Sequence, residues 1–407
     1  MEGVDPEDLV DVVTDFYGFG HQSSLEHFDY SRGGGAPYAI RLAYEGTHLA
    51  RITTGPGWDE RDAELLTARI RTELLEPPEI SIARRILFAG YPVNGYFEAI
   101  PFFQILPVPL EAPKPPITAL TTNSHPLILE FQIENLGNRS ASIRRISRSF
   151  FELTVFLNAV LECTVRSIAS SGNIRWVAPL GEDGMSTTCT LGLESYQFNS
   201  FKSEDKHFSP TANLAPIQIV EENQYYGRPL ELGRSLQVPE NLARLAHTYL
   251  TLNAAEKKRF LIAAFWLHQA TTAESNSTSF LNSIFAIDAL VPNETGGPPC
   301  TQCQRPQGKS EADKFVQFLE EVAPEESKDS IQVKAARKKL HRIRGQLAHG
   351  KDLLASFRDG GRFAFNPTGL NEMDSVWGAR YLAKRAVVNW LNRQNTAGAN
   401  LVPKNRD

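Results

Sequence analysis

Ile143, Ile146, Phe150, Leu153, Leu157 and Val160 recur at spacings of three and four, which places them on one face of an α-helix. Just upstream the period changes to two. Leu127, Leu129, Phe131 and Ile133 alternate with other residues, the pattern of a half-buried strand. Shorter runs predict strands over Tyr38–Tyr44, Leu49–Thr53, Arg85–Ala89 and Tyr96–Leu106, with further short strands near Ile174–Val177 and Thr187–Leu193. Asp59 to Leu75 predicts a helix with acidic residues in its first turn, where the helix dipole favours them. The proline-rich stretch 107–116 predicts a stiff connection, because proline fixes φ and removes a backbone donor.

The character changes near Pro239. Beyond it every strong pattern is helical: Leu242, Leu245, Tyr249 and Leu252; then a helix capped by Asn253 and Glu256 that runs through Phe265 and Leu267; then Phe280, Ile284, Ile287 and Val291. A polar loop follows over 292–309. Ser310 and Asp313 cap a helix bearing Phe315, Leu319 and Val322, and two more helices are predicted over about 330–349 and 374–392. The expected class is therefore α+β: a strand-rich N-terminal mixed domain over 1–235 and an all-α bundle over 236–400, with the boundary between 225 and 240.

Charge adds one feature. The chain carries a net −5, yet Lys334, Arg337, Lys338, Lys339, Arg342, Arg344 and Lys351 fall within 331–351 without an Asp or Glu. Removing these seven positive charges leaves −12 for the rest, so the basic helix runs against the overall balance. The same helix has an apolar stripe of Val333, Ala336, Leu340, Ile343 and Leu347 that predicts packing on its neighbours. It ends in Arg344-Gly345-Gln346-Leu347-Ala348-His349-Gly350. Arginine grips a phosphate through a planar fork of donors, and histidine exchanges protons near neutrality. Residues five apart on an ideal helix lie about 140° apart, so the pair shares a face only where the helix ends or bends.

Other chemistry finds less support. Four cysteines are too few for a disulfide scaffold of this length, but Cys300-Thr301-Gln302-Cys303 has the spacing of half a zinc knuckle. Structural zinc held with further ligands, a redox pair and two separate thiols all fit it. Gly33-Gly34-Gly35 lacks the lysine of a phosphate loop and predicts a turn, and His268 predicts a packing residue. G-x-S-x-G, H-E-x-x-H and G-x-G-x-x-G are absent from the sequence. No apolar run is long enough to span a bilayer, and the acidic start lacks the pattern of a secretory signal, which makes the cytoplasm the expected location.

The end of the basic helix resembles the R-x4-6-H signature of HEPN domains, in particular the Apea-like group, whose motif helix closes on Arg, four residues and His-Gly. The resemblance extends over 240–395, through Lys258–Ala270 and the Ala286-Ile287-Asp288-Ala289-Leu290 tail of the next helix. Gly345 stands where many members have a polar residue, and Asp288 where Glu is frequent. The resemblance implies an endoribonuclease that needs no metal for catalysis, works as a homodimer and leaves a 2′,3′-cyclic phosphate. In it His349 would be the general base, Arg344 would bind the phosphate, and Arg337, Lys338 and His341 could line the RNA path. It also implies a role in anti-phage defence or stress, with a trigger acting on the N-terminal domain. The alternatives are a toxin-like effector held inactive by a partner and a non-catalytic HEPN module that binds RNA, nucleotide or a protein.

Overall fold

The computed structural model of the chain describes residues 5–18, 20–31, 37–46, 48–109, 125–167, 175–177, 190–192, 204–227, 235–292, 310–325, 330–349, 354 and 367–399. The fold is α+β, with strands concentrated in the N-terminal part and helices in the C-terminal part. It divides into two compact units. The first comprises 1–85, 130–151 and 200–210, and the second 86–129, 152–199 and 211–407. This is not the division at 235/236 expected from the sequence. The change near Pro239 marks where strands give way to helices, whereas the cores are set by packing, and strands from 86 onward pack with the helices.

The first unit opens with α1 (Pro6–Tyr17), an element the apolar pattern did not predict. Asp5 caps it by accepting from the Glu7 N–H, Pro6 occupies its first turn, and it stops at Gly18, whose φ of +87° suits glycine. An antiparallel meander follows: β1 (His21–Ser24), β2 (His27–Tyr30), β3 (Ile40–Glu45) and β4 (His48–Thr54). The latter two match the predicted strands to within two residues, whereas the polar His21-Gln22-Ser23-Ser24 gave no strand signal. Asp29 and Arg41 stand opposite each other on β2 and β3 and form a two-pronged pair at 2.6 and 2.8 Å. The predicted helix over 59–75 is present as α2 (Glu60–Ile70), continued by a wider turn over Arg71–Leu75. Leu9, Val12 and Val13 of α1, Tyr30, Ile40 and Leu42 of the sheet, and Leu66 and Ile70 of α2 form its core.

Three long elements contribute to both units: β5 (Glu79–Ala89), β8 (His125–Asn135) and α3 (Arg139–Val160). In the first unit β12 (Glu204–Asp205) pairs antiparallel with β5, which neighbours β8. Glu130 of β8 is fully buried there. It accepts from Arg84 Nε at 2.5 Å and from the Ser209 N–H and hydroxyl at 2.8 and 2.5 Å, so no face of the carboxylate lacks a donor. On the same unit's α3, Arg144 and Arg145 converge on the buried carboxylate of Asp8. Ile143, placed by periodicity on the apolar face, is exposed, while Ile146, Leu153, Leu157 and Val160 are buried.

In the second unit the strand order is β9 (Val165–Arg166), β5, β8, β7 (Phe103–Pro107), β6 (Phe97–Ala99). The predicted single strand Tyr96–Leu106 is thus a hairpin, broken at Ile100-Pro101 where the ladder loses a donor. β10 (Arg175–Val177) pairs with β11 (Thr190–Gly192), inside two of the predicted segments, and β13 (Gln218–Val220) pairs parallel with β14 (Gln237–Pro239) around α4 (Glu222–Gly227). The helices are α5 (Leu242–Thr251), α6 (Ala254–Thr272), α7 (Asn276–Asp288), α8 (Glu311–Val322), α9 (Ser330–Ala348) and α10 (Pro367–Ala399). Both expected caps are formed: the Asn253/Glu256 box on α6 and Ser310 on α8. Phe103, Phe156, Tyr249, Phe260 and Trp390 form a continuous aromatic core, with ring centres 5.3 to 6.4 Å apart. Among the described residues no helix is long and apolar enough to cross a membrane.

Removing the Glu130 carboxylate leaves Arg84 without its buried partner and frees the Ser209 N–H. Glu130→Ala is expected to cost about 3–5 kcal/mol by urea unfolding and to raise amide exchange over 204–210. A loss below ~1 kcal/mol, within the range of an exposed pair, would contradict this reading.

Candidate functional site at the end of α9

Two of the six basic side chains of α9 pair with α8. Lys334 pairs with Glu320 at 3.1 Å and Lys338 with Asp313 at 2.7 Å, and the His341 ring lies 5.3 Å from that of Phe315. Partners fall from 320 toward 313 as α9 rises, so the two helices run antiparallel. The predicted apolar stripe is only partly covered. Leu347 is buried, Val333, Leu340 and Ile343 are half-buried, and Ala336 is exposed.

Arg337, expected along an RNA path, is instead buried. It is 4% exposed and donates to the Ala323 carbonyl at 2.5 Å. Burial lowers its pKa from the usual arginine value, opposed by Glu325 and Glu320. A guanidinium spent on the end of a neighbouring helix is not available to a phosphate. Lys338 and His341 stay at least partly accessible, Lys338 being the more exposed.

Arg344 turns toward the end of α7. Its Nη2 lies 3.1 Å from Asp288 Oδ2, and its guanidinium carbon is 5.7 Å from the centre of the Phe285 ring. The pair is in ionic contact without hydrogen-bond alignment, so Arg344 Nε and Asp288 Oδ2 are buried polar atoms without a hydrogen-bond partner. Burial holds the Asp288 carboxyl above the usual carboxylate range; Arg344 and His341 pull the other way, and Glu311 adds to the rise.

His349 is exposed, and its N–H bonds the Gly345 carbonyl at 3.3 Å. That bond continues the helical i to i−4 pattern through the last turn, so α9 runs regularly to Ala348 and His349 is the first residue past its end. The side chains remain about 140° apart around the axis, and one chain does not bring them together. What it does bring together is Arg344, Asp288, His341 and Phe285. Asp288 and Phe285 were not among the residues singled out for a site. The Ala286–Leu290 tail drew attention to Asp288, but only the fold places it against Arg344. Gly345 has open space around it, with nothing within 4 Å of where a Cβ would stand, so a side chain there would meet no obstruction.

Cys300 and Cys303 lie outside the described residues. Among those described, no group of three His, Cys, Asp or Glu is placed to hold a metal ion. Cys163 is buried, and burial pushes its thiol up to about 12. His268 is half-buried on α6, and burial followed by the nearby Arg166 lowers its pKa. Comparison of the chain with known protein families, with characterised proteins and with solved structures finds no match.

Two variants test these placements. Arg337→Ala is expected to lower stability by about 1.5–3 kcal/mol, the value of a hydrogen bond from a charged donor, because it leaves the Ala323 carbonyl unpaired. Unchanged unfolding would show the contact to be dispensable. The raised carboxyl of Asp288 favours folding most when protonated, below its unfolded pKa, and that advantage is lost as pH rises through the folded value. Asp288→Asn, neutral throughout, should therefore gain stability relative to the parent from about pH 4 to pH 7, read from urea midpoints. A difference that stays flat, or falls, would mean that attraction to Arg344 outweighs burial.

Proposed function

We propose that the chain is an endoribonuclease of HEPN type in which His349 and Arg344 carry the chemistry. The observation that carries this reading is the state of Arg344: an arginine held 3.1 Å from Asp288 with its side chain still 33% exposed, just over one turn before an exposed histidine at the end of a basic helix. A held, partly exposed guanidinium suits a phosphate oxygen. His349 takes the proton of a ribose 2′-hydroxyl, whose oxygen attacks the adjacent phosphorus. The bond to the 5′-oxygen breaks, and Arg344 stabilises the charge that gathers on the phosphoryl oxygens. The departing oxygen takes a proton from a second acid, a role suited to the same histidine of a second copy. The products are a 2′,3′-cyclic phosphate and a 5′-hydroxyl.

A second reading, a non-catalytic RNA-binding module, is favoured by the regular helical turn from Arg344 to Ala348, which keeps the two side chains apart in one chain. Cleavage separates the two. Arg344→Ala and His349→Ala are each expected to lower the rate of RNA cleavage by at least about 10²-fold with the fold retained, and His349→Ala should keep its stability within ~0.5 kcal/mol of the parent, since that side chain is exposed. Cleavage should persist in EDTA and fail on a substrate with 2′-deoxyribose at the cut. Wild-type rates in either variant would remove these residues from the chemistry, and RNA bound but never cut would favour the second reading.

A further inference from the structure

Most apolar side chains of α10 between 376 and 391 are buried, among them Val376, Leu382, Val387 and Leu391. Two large aromatics are not. Trp377 is 61% exposed and Tyr381, one turn on, is 48% exposed. Each carries an arginine: the Arg380 guanidinium lies 5.2 Å from the centre of the Trp377 ring, and that of Arg385 lies 5.6 Å from the centre of the Tyr381 ring. Gly378, on the flank of this row, has nothing within 4 Å of where a Cβ would stand. From 375 to 399 the helix has no Asp or Glu, and of its four basic residues Lys384, Arg385 and Arg393 donate to backbone carbonyls, which leaves Arg380 beside the Trp377 ring. Tyr381 and Arg385 also line a cleft of about 470 Å³. Glu222 and Glu325 stand in that cleft, and Glu222 is engaged by Asn392 at 2.8 Å and Arg244 at 3.5 Å.

An exposed tryptophan and tyrosine in one row, each backed by a guanidinium, are costly on a surface that faces only water. They suit a partner with flat apolar rings and negative charge in alternation. Four residues of helix rise about 6 Å, close to two steps of a stacked strand at ~3.4 Å each. We propose that this face of α10 binds single-stranded RNA, with bases stacking on Trp377 and Tyr381 and a phosphate meeting Arg380. The choice of RNA rests on the ribonuclease reading of α9, and the face would hold substrate away from the reacting bond.

The test uses the full chain and a short single-stranded oligoadenylate with 2′-O-methyl riboses, which offers bases and phosphates but cannot be cleaved. Titration should quench tryptophan emission in the parent and quench it less in Trp377→Phe, which keeps most of the affinity. Trp377→Ala and Tyr381→Ala should each weaken binding by about five- to a hundred-fold, the range for loss of one base stack. Arg380→Gln should weaken it and flatten its dependence on salt. Unchanged affinity in Trp377→Ala and Tyr381→Ala would overturn the proposal. So would light scattering in which Trp377→Ala turns a dimer into a monomer while RNA affinity holds, since the face would then join two copies. Because the probe has no attacking hydroxyl, loss of cleavage in His349→Ala leaves this binding in place, and the two proposals fail separately.

Discussion

The end of α8 governs how the C-terminal helices are arranged. A helix leaves its last carbonyls without partners, and their combined dipole is negative. Here four consecutive carbonyls beyond the reach of the helix's own ladder each receive a side chain. Arg393 donates to Glu321, Asn389 to Val322 at 2.8 Å, Arg337 to Ala323 at 2.5 Å and Arg385 to Pro324 at 3.1 Å. Three of the four donors are arginines. They come from α9 and α10, so satisfying one helix end constrains the axial positions of two other helices. The Arg344–Asp288 contact and the aromatic row on α10 both depend on those positions.

That arrangement explains which parts of the site could be read from the chain. Helix existence was legible wherever local chemistry is sufficient. Asn253 with Glu256 and Ser310 with Asp313 announce their helices, and both caps form. The basic helix and the histidine just past its end were legible as well, because Val333, Leu340, Ile343 and Leu347 recur at helical spacings along α9. Arg337 was not: one period of positive residues cannot distinguish a guanidinium facing solvent from one reaching a distant carbonyl at 323. Asp288 was visible as a residue but not as a partner, since its pairing with Arg344 bridges 56 positions of chain.

The strand-rich part shows the same limit. Alternation identified β3, β4 and most of β8, while the polar β1 carries no apolar signal; α1 went unpredicted although Leu9, Val12, Val13 and Tyr17 recur at helical spacings. The change in pattern near Pro239 was real as a change of element type. It was no guide to where one core ends, because β5, β8 and α3 are long enough to serve two cores. Charge zippers such as Arg144 and Arg145 on Asp8 are equally hidden, since they join residues more than 130 positions apart.

The meander at the start of the chain has two outer strands, and they are not alike. β1 is short and wholly polar, with an irregular register against β2, which makes it a poor template for another strand. β4 is seven residues long, is rich in β-branched residues toward its end, and among the described residues pairs only with β3. Its outward row of amide and carbonyl groups is the kind of edge along which a second polypeptide can extend a sheet, with Arg51 the one charge on the strand to oppose it. Intermolecular strand addition at high concentration would therefore begin at β4, and a lysine in place of the 37%-exposed Ile52 is the change by which such an edge is ordinarily made less adhesive.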